Sequence, residues 1–305
     1  MPVQANPLTI AWRPVRRLLR PVWYGVFRYH PYHYLGALFW AGMGPEARRT
    51  FIDGFSRPLP TVGFRLACLR EYWVNRYFAG YADSAVTPPP ILDHIWGAEG
   101  ATDYHQENLR YFSQHPEEFD QIHAHLLARI AELLSEAEFE CVVEVGCGSG
   151  LLLERVAARA EPSRAQFIGL DLDPRIIALN RQRQPGPRVQ YRQAPSVQEF
   201  LGRMQPSSAL VFANATFTFF TEKELQSCFA WLATHVPRGA IVIADATALD
   251  LEREQHSRPY GVLTFSHNYG FLLADAGLER VRCELPPAPS PHIKKIVASA
   301  TWGMK

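Results

Sequence analysis

The chain has 305 residues, of which 47% are hydrophobic and 20% are charged, a composition typical of a globular protein rather than a disordered one. Its net charge of +1 lacks the strong positive balance expected of a nucleic-acid binder. The five cysteines are scattered without a Cys-x-x-Cys pair, which argues against a disulfide framework and against a metal site. A reducing, cytoplasmic setting is therefore expected.

The first 45 residues are rich in arginine, aromatic residues and proline, and the first acidic residue of the chain is Glu46. Apolar side chains recur at helical spacing over residues 19–27, which suits an amphipathic helix on an anionic membrane surface. The alternative is an extension that wraps the protein body or a second copy, and Pro14 and Pro21 favour it because proline interrupts a long helix. Peripheral membrane contact through residues 10–30 and a homodimer both stay open hypotheses.

Residues 46–135 predict a helical region that forms a lid, a substrate-binding surface or an oligomer contact. The expected helices span residues 64–78, 104–112 and 117–134, with a break at the prolines 88–90. In the last helix Phe119, Leu126 and Ile130 recur close to a 3.6-residue period, which predicts one continuous amphipathic helix.

From residue 139 onward, strand and helix patterns alternate. Strands are expected at residues 141–145, 166–170, 188–192, 209–213 and 240–244, and helices at 151–159, 174–183 and 197–204. A capping box at Thr221 and Glu224 opens a further helix, and Ser266 is expected to cap one that ends at Ala276 before Gly277. Repeated βα units predict an α/β fold with a mostly parallel sheet covered by helices on both faces. Strands at 278–285 and 293–300 complete it, and the last should run antiparallel because no helix separates them.

The most informative stretch, residues 141–150, reads Cys-Val-Val-Glu-Val-Gly-Cys-Gly-Ser-Gly and leads directly into a helical pattern. Glycines at alternate positions let the backbone approach a ligand, and the first turn of the helix leaves N–H groups unpaired. The dinucleotide fingerprint has its third glycine one position later, and no Gly-Lys-Ser/Thr follows as in a phosphate-binding Walker loop. Glu144, two residues before the first glycine, suits a ligand that carries an amino group.

Glu144 to Gly150 resembles motif I of the class I S-adenosylmethionine-dependent methyltransferases. The resemblance extends over about residues 139–302, with residues 232–243 resembling the turn into the fifth strand. It implies a Rossmann-like, doubly wound methyltransferase domain over residues 136–305, with S-adenosyl-L-methionine as the cofactor. Residues 1–45 and 46–135 precede this domain as an extension and a helical region that the resemblance does not cover.

The resemblance also implies which residues contact the cofactor. They are Glu144, Gly146, Cys147, Gly148, Gly150, Asp171, Leu172, Gln193, Ala194, Asn214 and Ala215. Asp171 is expected to accept hydrogen bonds from the ribose hydroxyls, whereas Asp173, before Pro174, is expected to cap a helix. The family often has an acid after the third strand where this chain has Pro195, which leaves the adenine to Gln193, Ser196 or backbone groups.

The segment after the fourth strand lacks the Asn-Pro-Pro-Tyr/Phe signature, since Ala215 and Thr216 replace the two prolines. Amino-methylation of a base or of a glutamine amide is therefore not indicated. Phe217 and Phe220 either line the acceptor site or belong to the core, and the sequence leaves both possibilities open. Tyr104 and His105 are further candidates for substrate contact and, with His94, for a lid.

A hydroxyl acceptor benefits from a base, and histidine is suited to that role by its pKa. His256 and His267 are the candidate catalytic residues because they lie between the fifth strand and the last helix, although each could instead be a surface or capping residue. His267 in particular follows the predicted cap Ser266, where the first turn of a helix is often solvated.

The sequence therefore predicts a small-molecule methyltransferase of specialised metabolism with an apolar or aromatic acceptor, and O-methylation is slightly favoured over N- or C-methylation. One alternative is a lipid or isoprenoid methyltransferase at a membrane surface. The other is a non-catalytic scaffold subunit that binds the cofactor.

Overall fold

The structure, a computed structural model, describes residues 31–53, 65, 68, 69, 72, 99–160, 164–183, 186–247, 251, 254–260, 264–286 and 294–304. Residues 1–30 of the predicted extension, with the predicted membrane contact at 10–30, lie outside these residues, as do most of the predicted helix at 64–78, the prolines 88–90 and His94. The chain divides into two compact units, residues 1–83 and 84–305. The predicted borders at residues 45 and 135 stay predictions.

In the first unit, helix α1 (Pro31–Ala41) is followed by α2 (Pro45–Asp53). The Arg48 guanidinium of α2 donates to the Trp40 carbonyl over 2.9 Å and thereby ties the two helices together. Among the residues that the structure describes, no helix has the length and apolar character needed to cross a membrane.

The second unit begins with α3 (Glu99–Gln114), α4 (Pro116–Ile122) and α5 (Ala124–Glu136). The prediction of one continuous helix over residues 117–134 is wrong, because the helix breaks at His123, which has φ −104° and ψ 8°. Apolar residues on both sides of the break keep the same period, so periodicity alone could not reveal it.

A seven-stranded sheet forms the centre of this unit. Its strands are β1 (Cys141–Val145), β2 (Gln166–Asp171), β3 (Val189–Gln193), β4 (Ser208–Asn214), β5 (Arg238–Thr247), β8 (Glu279–Glu284) and β9 (Lys294–Trp302). They lie in the order β3-β2-β1-β4-β5-β9-β8; the pairs among β1 to β5 are parallel, and β9 runs antiparallel to both β5 and β8. The predicted doubly wound, mostly parallel sheet with an antiparallel final strand is confirmed.

Helices cover both faces of the sheet, and alternate residues of each strand point to opposite faces. Helices α5, α6 (Leu151–Arg159) and α7 (Pro174–Gln182) lie on one face, and α8 (Val197–Met204), α9 (Glu222–His235) and α10 (Tyr269–Asp275) lie on the other. In β4, Leu210 and Phe212 pack on the α5 side, whereas Val211 and Ala213 pack on the α9 side. The alternation therefore places Asn214, at the end of β4, on the α5 side.

The predicted capping of α10 by Ser266 is wrong. A hairpin of β6 (Arg258–Tyr260) and β7 (Thr264–Ser266), which the sequence analysis missed, ends at Ser266, and Asn268 caps α10 by accepting the N–H of Phe271 over 3.1 Å. Gly277 follows α10 with φ +78°, as expected of a helix stop. The predicted capping box of Thr221 and Glu224 is confirmed at the start of α9.

Candidate functional site

The candidate site lies at the edge of the sheet where the parallel strands end. After β1 the chain continues through α6 into β2, which lies on one side of β1. Strands β4 and β5 lie on the other side of β1. Ligands of open α/β sheets bind at such a switch point, beyond the carboxyl ends of the strands.

The glycine loop, residues 146–150, needs glycine for conformation and for space. Gly146, Gly148 and Gly150 have φ values of +70°, +46° and +75°, a region that other residues rarely adopt. A Cβ atom at Gly146 would lie 2.4 Å from the Thr216 hydroxyl oxygen, and one at Gly148 would lie 2.5 Å from the His105 ring. The predicted Cys147 side chain is buried, so this residue offers a ligand its backbone.

Three side chains, missed by the sequence analysis, hold the loop by its carbonyl groups. The Asn180 amide donates to the Gly148 carbonyl, and the Arg183 guanidinium to the Ser149 carbonyl, each over 2.7 Å. The Tyr191 hydroxyl lies 3.1 Å from the Gly150 carbonyl and 2.8 Å from a carboxylate oxygen of Glu154. Asn180 lies in α7, Arg183 directly follows that helix and Tyr191 lies in β3, so they form no sequence motif, but they fix the shape of the loop.

Asp171 and Asp173 take different roles. The Asp171 carboxylate accepts the N–H of Gly148 and the N–H of Asp173, each over 3.0 Å. Burial raises the pKa of Asp171, although these two N–H groups favour its ionised form. A carboxylate has about four lone-pair sites, so acceptor capacity is left for two ribose hydroxyls. Asp173 caps α7 as predicted, accepting the N–H of Arg175 over 2.9 Å.

Glu144 is the group that best suits a cationic ligand. Its side chain is 3% exposed, and among the described residues its Oε2 atom has no hydrogen-bond partner. Burial, with the nearby charges of Asp171 and Glu154, raises the pKa of Glu144 well above its ordinary value. The Leu153 backbone forms a hydrogen bond with this carboxyl, but a buried carboxylate oxygen without a partner is still costly unless a ligand supplies one. The ammonium group of S-adenosylmethionine would fit beside it.

The predicted adenine residues lie beside this region. The Gln193 amide donates to the Leu172 carbonyl over 3.1 Å, and the Ala194 N–H donates to the Asp171 carbonyl over 3.2 Å. Leu172 is 40% exposed and offers an apolar surface next to Asp171. Ser196 instead caps α8, where its hydroxyl oxygen accepts the Glu199 N–H over 3.1 Å.

Helix α3 brings His105 and Tyr104 to the glycine loop. The His105 ring lies against Gly148, so this predicted substrate residue is next to the cofactor loop. Burial lowers the pKa of His105, and the charges of Asp171 and Asp173 partly oppose that effect. Tyr104 is 55% exposed and packs edge-on against His105, with 5.4 Å between the ring centroids.

The loop after β4 carries backbone strain. Ala215 has φ +54° and donates its N–H to the Ala244 carbonyl over 2.8 Å. The left-handed conformation costs a residue other than glycine about 1–2 kcal/mol. It places the Thr216 side chain against Gly146, and such strain is often found at functional sites.

Of the two predicted aromatic substrate residues, Phe217 lies in the core. It is 1% exposed and packs against Phe220 and Phe229, with ring centroids 5.5 and 5.9 Å away. The core possibility that the sequence left open therefore describes Phe217. Phe220 is half-buried at the edge of the same cluster.

The two predicted catalytic histidines occupy different environments. His256 is exposed, and its Nδ1 atom lies 3.0 Å from a carboxylate oxygen of Glu222. His267 is fully buried, so the expectation of a solvated helix turn is wrong because Ser266 ends a strand instead. Its Nδ1 atom lies 2.7 Å from the Ser257 hydroxyl oxygen, and burial lowers the pKa of His267 to about 4. Their catalytic roles stay predictions.

A buried pair that the sequence analysis missed lies near the end of β5. The Tyr269 hydroxyl donates to the Asp245 carboxylate over 2.5 Å, and both side chains are buried. Burial raises the pKa of Asp245 to about 7, although the Tyr269 hydroxyl and the Thr218 backbone favour its ionised form. The sequence feature that could have indicated this pair is Asp245 itself, an aspartate between two alanines in a largely apolar strand. Within the described ranges, no cluster of histidine, cysteine and carboxylate side chains is arranged to hold a metal ion.

Comparison with known proteins identifies the central part of this unit. Residues 142–239, about a third of the chain, match a family described as "Methyltransferase domain". This match begins in β1 and ends in β5, so it includes the glycine loop, Asp171 and the loop after β4. No curated protein matches the sequence significantly.

Solved structures that match parts of this chain include three proteins named as methyltransferases. A putative O-methyltransferase from Nostoc punctiforme is 16% identical, with 59% of this chain and 56% of that one covered and a TM-score of 0.43. The N-methyltransferase NodS from Bradyrhizobium japonicum is 16% identical, with 60% and 96% covered and a TM-score of 0.45. Human N-acetylserotonin methyltransferase in complex with S-adenosylmethionine is 13% identical, with 76% and 69% covered and a TM-score of 0.46.

Proposed function

We propose that the chain, whose residues 142–239 match a methyltransferase domain, is an S-adenosylmethionine-dependent methyltransferase of class I. Its acceptor would be a small, neutral molecule, apolar or aromatic, and a hydroxyl is the favoured acceptor group. The observation that carries this proposal is the chemistry of the residues where β4 and β5 end. The side chains there are neutral or already paired, and several of them can accept a proton.

Residues of the glycine loop, together with Asp171 and Glu144, would bind the cofactor. The glycine loop lets the backbone approach the cofactor, Asp171 accepts hydrogen bonds from the ribose, and Glu144 holds the ammonium group. The bound cofactor supplies an activated methyl group on a sulfonium centre. The protein must then orient an acceptor and exclude water from it.

The acceptor side favours a neutral molecule. Phe220 and Thr216, both half-buried, give the loop after β4 an apolar surface with one hydroxyl, and Phe217 packs beneath them in the core. The nearby charge of Glu222 is engaged by the Ser257 backbone N–H and by His256. An anionic polymer such as RNA would meet no cluster of basic side chains in this part of the described chain.

The proton-accepting side chains Asp245 and His267 favour a hydroxyl as the methyl acceptor. Asp245 is about half ionised at pH 7 because burial raises its pKa to about 7, and His267 is neutral because burial lowers its pKa to about 4. Neutral imidazole and carboxylate groups accept the proton that a hydroxyl loses on methylation. An acceptor without an ionisable proton would make no use of them.

The test is a screen for S-adenosylhomocysteine release with pools of phenols, aliphatic alcohols, carboxylic acids, amines and lipids. We expect turnover with a hydroxyl-bearing aromatic or apolar pool, and none in a matched Asp171→Ala variant. Turnover with amines alone, or with lipids alone, would contradict the proposed acceptor. Cofactor binding without turnover in any pool would favour a scaffold role.

A further inference from the structure

Three histidines of the second unit share one local arrangement. The Nδ1 atoms of His115, His123 and His235 each lie 2.8–3.0 Å from the carbonyl oxygen four residues earlier. His115 and His235 are exposed, and their rings stack on Tyr111 and Trp231 with centroids 4.3 and 4.6 Å away. Capping of a helix end accounts for these two residues.

His123 differs from the other two in burial and in its second nitrogen. Its side chain is 7% exposed, and its Nε2 atom lies 3.5 Å from the side-chain amide of Asn214 at the end of β4. His123 is also the residue at which α4 ends and α5 begins. Helix capping does not explain why this ring is directed at the end of the sheet.

The hydrogen bond at Nδ1 fixes the tautomer of His123. A carbonyl oxygen only accepts hydrogen bonds, so Nδ1 carries the proton and Nε2 holds a lone pair. The contact of Nε2 with Asn214 is at the long limit for a hydrogen bond and is therefore weak. An acceptor hydroxyl can displace it.

The position of Asn214 links this lone pair to the glycine loop. Asn214 follows the β4 residue Ala213, which pairs with Val145, the last residue of β1 before Gly146. Two residues beyond Asn214, the Thr216 side chain lies against Gly146. The Nε2 atom of His123 therefore lies on the acceptor side of the cofactor loop.

The surroundings of His123 favour its neutral form. Burial lowers the pKa of His123, and the cationic side chain of Lys295 in β9 lowers it further. The Phe119 carbonyl and the carboxylate of Asp120 in α4 oppose this effect, but burial is the largest cause. Lys295 itself donates to the Ile122 carbonyl, which keeps it beside the helix break.

We propose that His123 is the general base of the methyl transfer, with Nε2 receiving the proton of the acceptor hydroxyl; this inference rests on the proposed function. The oxygen lone pair forms the new bond to the methyl carbon, and the carbon–sulfur electron pair returns to sulfur. The O–H electron pair stays on oxygen while the proton moves to Nε2, and the imidazolium later loses a proton to solvent. Atoms and charge balance without another reactant.

The test compares two cofactor analogues and needs no acceptor. S-adenosylhomocysteine lacks the methyl group, whereas sinefungin carries an amine near the position of that methyl. If Nε2 faces this position, it accepts a hydrogen bond from the sinefungin amine. The variant His123→Phe keeps an aromatic ring but removes the acceptor, and His115→Phe is the matched control because His115 has the same Nδ1 contact.

Calorimetry should show that His123→Phe keeps the affinity for S-adenosylhomocysteine within about threefold but weakens sinefungin about tenfold, the worth of one hydrogen bond to a charged group. His115→Phe should leave both affinities unchanged. Equal weakening of both analogues, or no change in their ratio, would overturn the inference.

A measurement on the unchanged protein covers the case in which His123→Phe does not fold. Nitrogen NMR of the histidine side chains should show His123 with a protonated Nδ1 and an unprotonated Nε2. Sinefungin should shift the Nε2 resonance, and S-adenosylhomocysteine should leave it in place. The opposite tautomer, or a resonance indifferent to sinefungin, would overturn the inference.

Activity separates this inference from the proposed function. With an acceptor from the screen, His123→Phe should lower kcat by about 10²- to 10⁴-fold, the usual contribution of general acid–base catalysis. Transfer at the parental rate would refute the role of His123 and leave the proposed function standing. A parent protein that binds S-adenosylhomocysteine but methylates nothing would contradict the proposed function instead, while the analogue and NMR measurements would still decide where Nε2 points.

Discussion

The two sides of the site are built in different ways. On the cofactor side, at the ends of β1 and β2, the binding groups come from two short stretches, residues 144–150 and 171–172, and the backbone is held by a dense set of hydrogen bonds. On the acceptor side, at the ends of β4 and β5, buried titratable side chains come from segments far apart in the chain: His123, Asp245, His267 and Tyr269.

The difference shows what each side must do. The cofactor side holds one ligand of fixed shape, so a fixed loop with glycines and two acids at set distances suffices for it. In the proposed reaction the acceptor side must position a nucleophile and receive a proton, which depends on burial and on contacts between distant residues. Substitutions on the cofactor side should therefore change affinity, and those on the acceptor side should change ionisation and turnover.

The largest expected effect belongs to Asp171. Asp171→Ala should weaken S-adenosylhomocysteine binding by about 100-fold or more, because it removes two hydrogen bonds from ribose hydroxyls to a charged acceptor. The control is Asp173→Ala, two residues away, which should cost about 1 kcal/mol of stability as a lost helix cap but leave the affinity near that of the parent. Calorimetry measures both, and equal affinities for the two variants would refute the ribose assignment.

The next effect is a pH dependence on the acceptor side. Asp245 has a pKa of about 7 in the folded protein, above its ordinary value, so folding disfavours its ionised form. The free energy of unfolding should therefore fall as the pH rises from about 4 to 7. Above pH 7, Asp245 is ionised in both the folded and the unfolded protein and should no longer affect the slope. In Asp245→Asn, the free energy of unfolding should fall by about 2–3 kcal/mol less between pH 5 and 7 than in the parent.

Urea unfolding at several pH values measures this profile in the parent and in the variant. The Tyr269 hydroxyl keeps an acceptor in Asp245→Asn, so a general loss of packing is not expected. Identical slopes in the two proteins would show that Asp245 does not ionise in this range.

Replacing Glu144 should weaken cofactor binding and stabilise the cofactor-free protein. Glu144→Gln should weaken S-adenosylmethionine binding about tenfold, because the ammonium group loses its charged partner. The same change should stabilise the cofactor-free protein by about 1 kcal/mol at pH 7, since the buried carboxyl lacks a partner for Oε2. Thermal unfolding with and without cofactor measures both effects, and a variant that binds as the parent does would rule out the contact.

The smallest effect tests the hydrogen bonds behind the loop. Tyr191→Phe should weaken S-adenosylhomocysteine binding about threefold, because Gly150 loses a neutral hydrogen-bond partner. Tyr111→Phe is the matched control, since the Tyr111 hydroxyl also binds a glutamate, Glu118, over 2.7 Å but is exposed. Calorimetry on the two variants should separate them, and equal affinities would show that the loop does not need Tyr191.

The sequence predicted the fold well because its signals are local. The period of apolar residues and the glycine turn gave the parallel strands, and the capping box at Thr221 gave the start of α9. Asp173 was predicted as a helix cap, and the structure confirms it. Each of these predictions rests on residues within a few positions of one another.

What the sequence did not reveal depends on contacts between distant residues. The break at His123 is hidden because both helix halves keep one apolar period, and its meaning depends on Asn214, 91 positions away. Serine is a residue type that often caps helices, but Ser266 pairs in a hairpin, so His267 is buried rather than solvated. The loop-holding roles of Asn180, Arg183 and Tyr191 likewise arise only in the folded chain.

The division between the two sides is tested most directly by the affinity of two variants for S-adenosylhomocysteine, measured side by side by calorimetry. Asp171→Ala should bind about 100-fold more weakly than the parent, and His123→Phe should stay within about threefold of it. A loss of affinity in His123→Phe as large as that in Asp171→Ala would place His123 in the cofactor site and contradict the account.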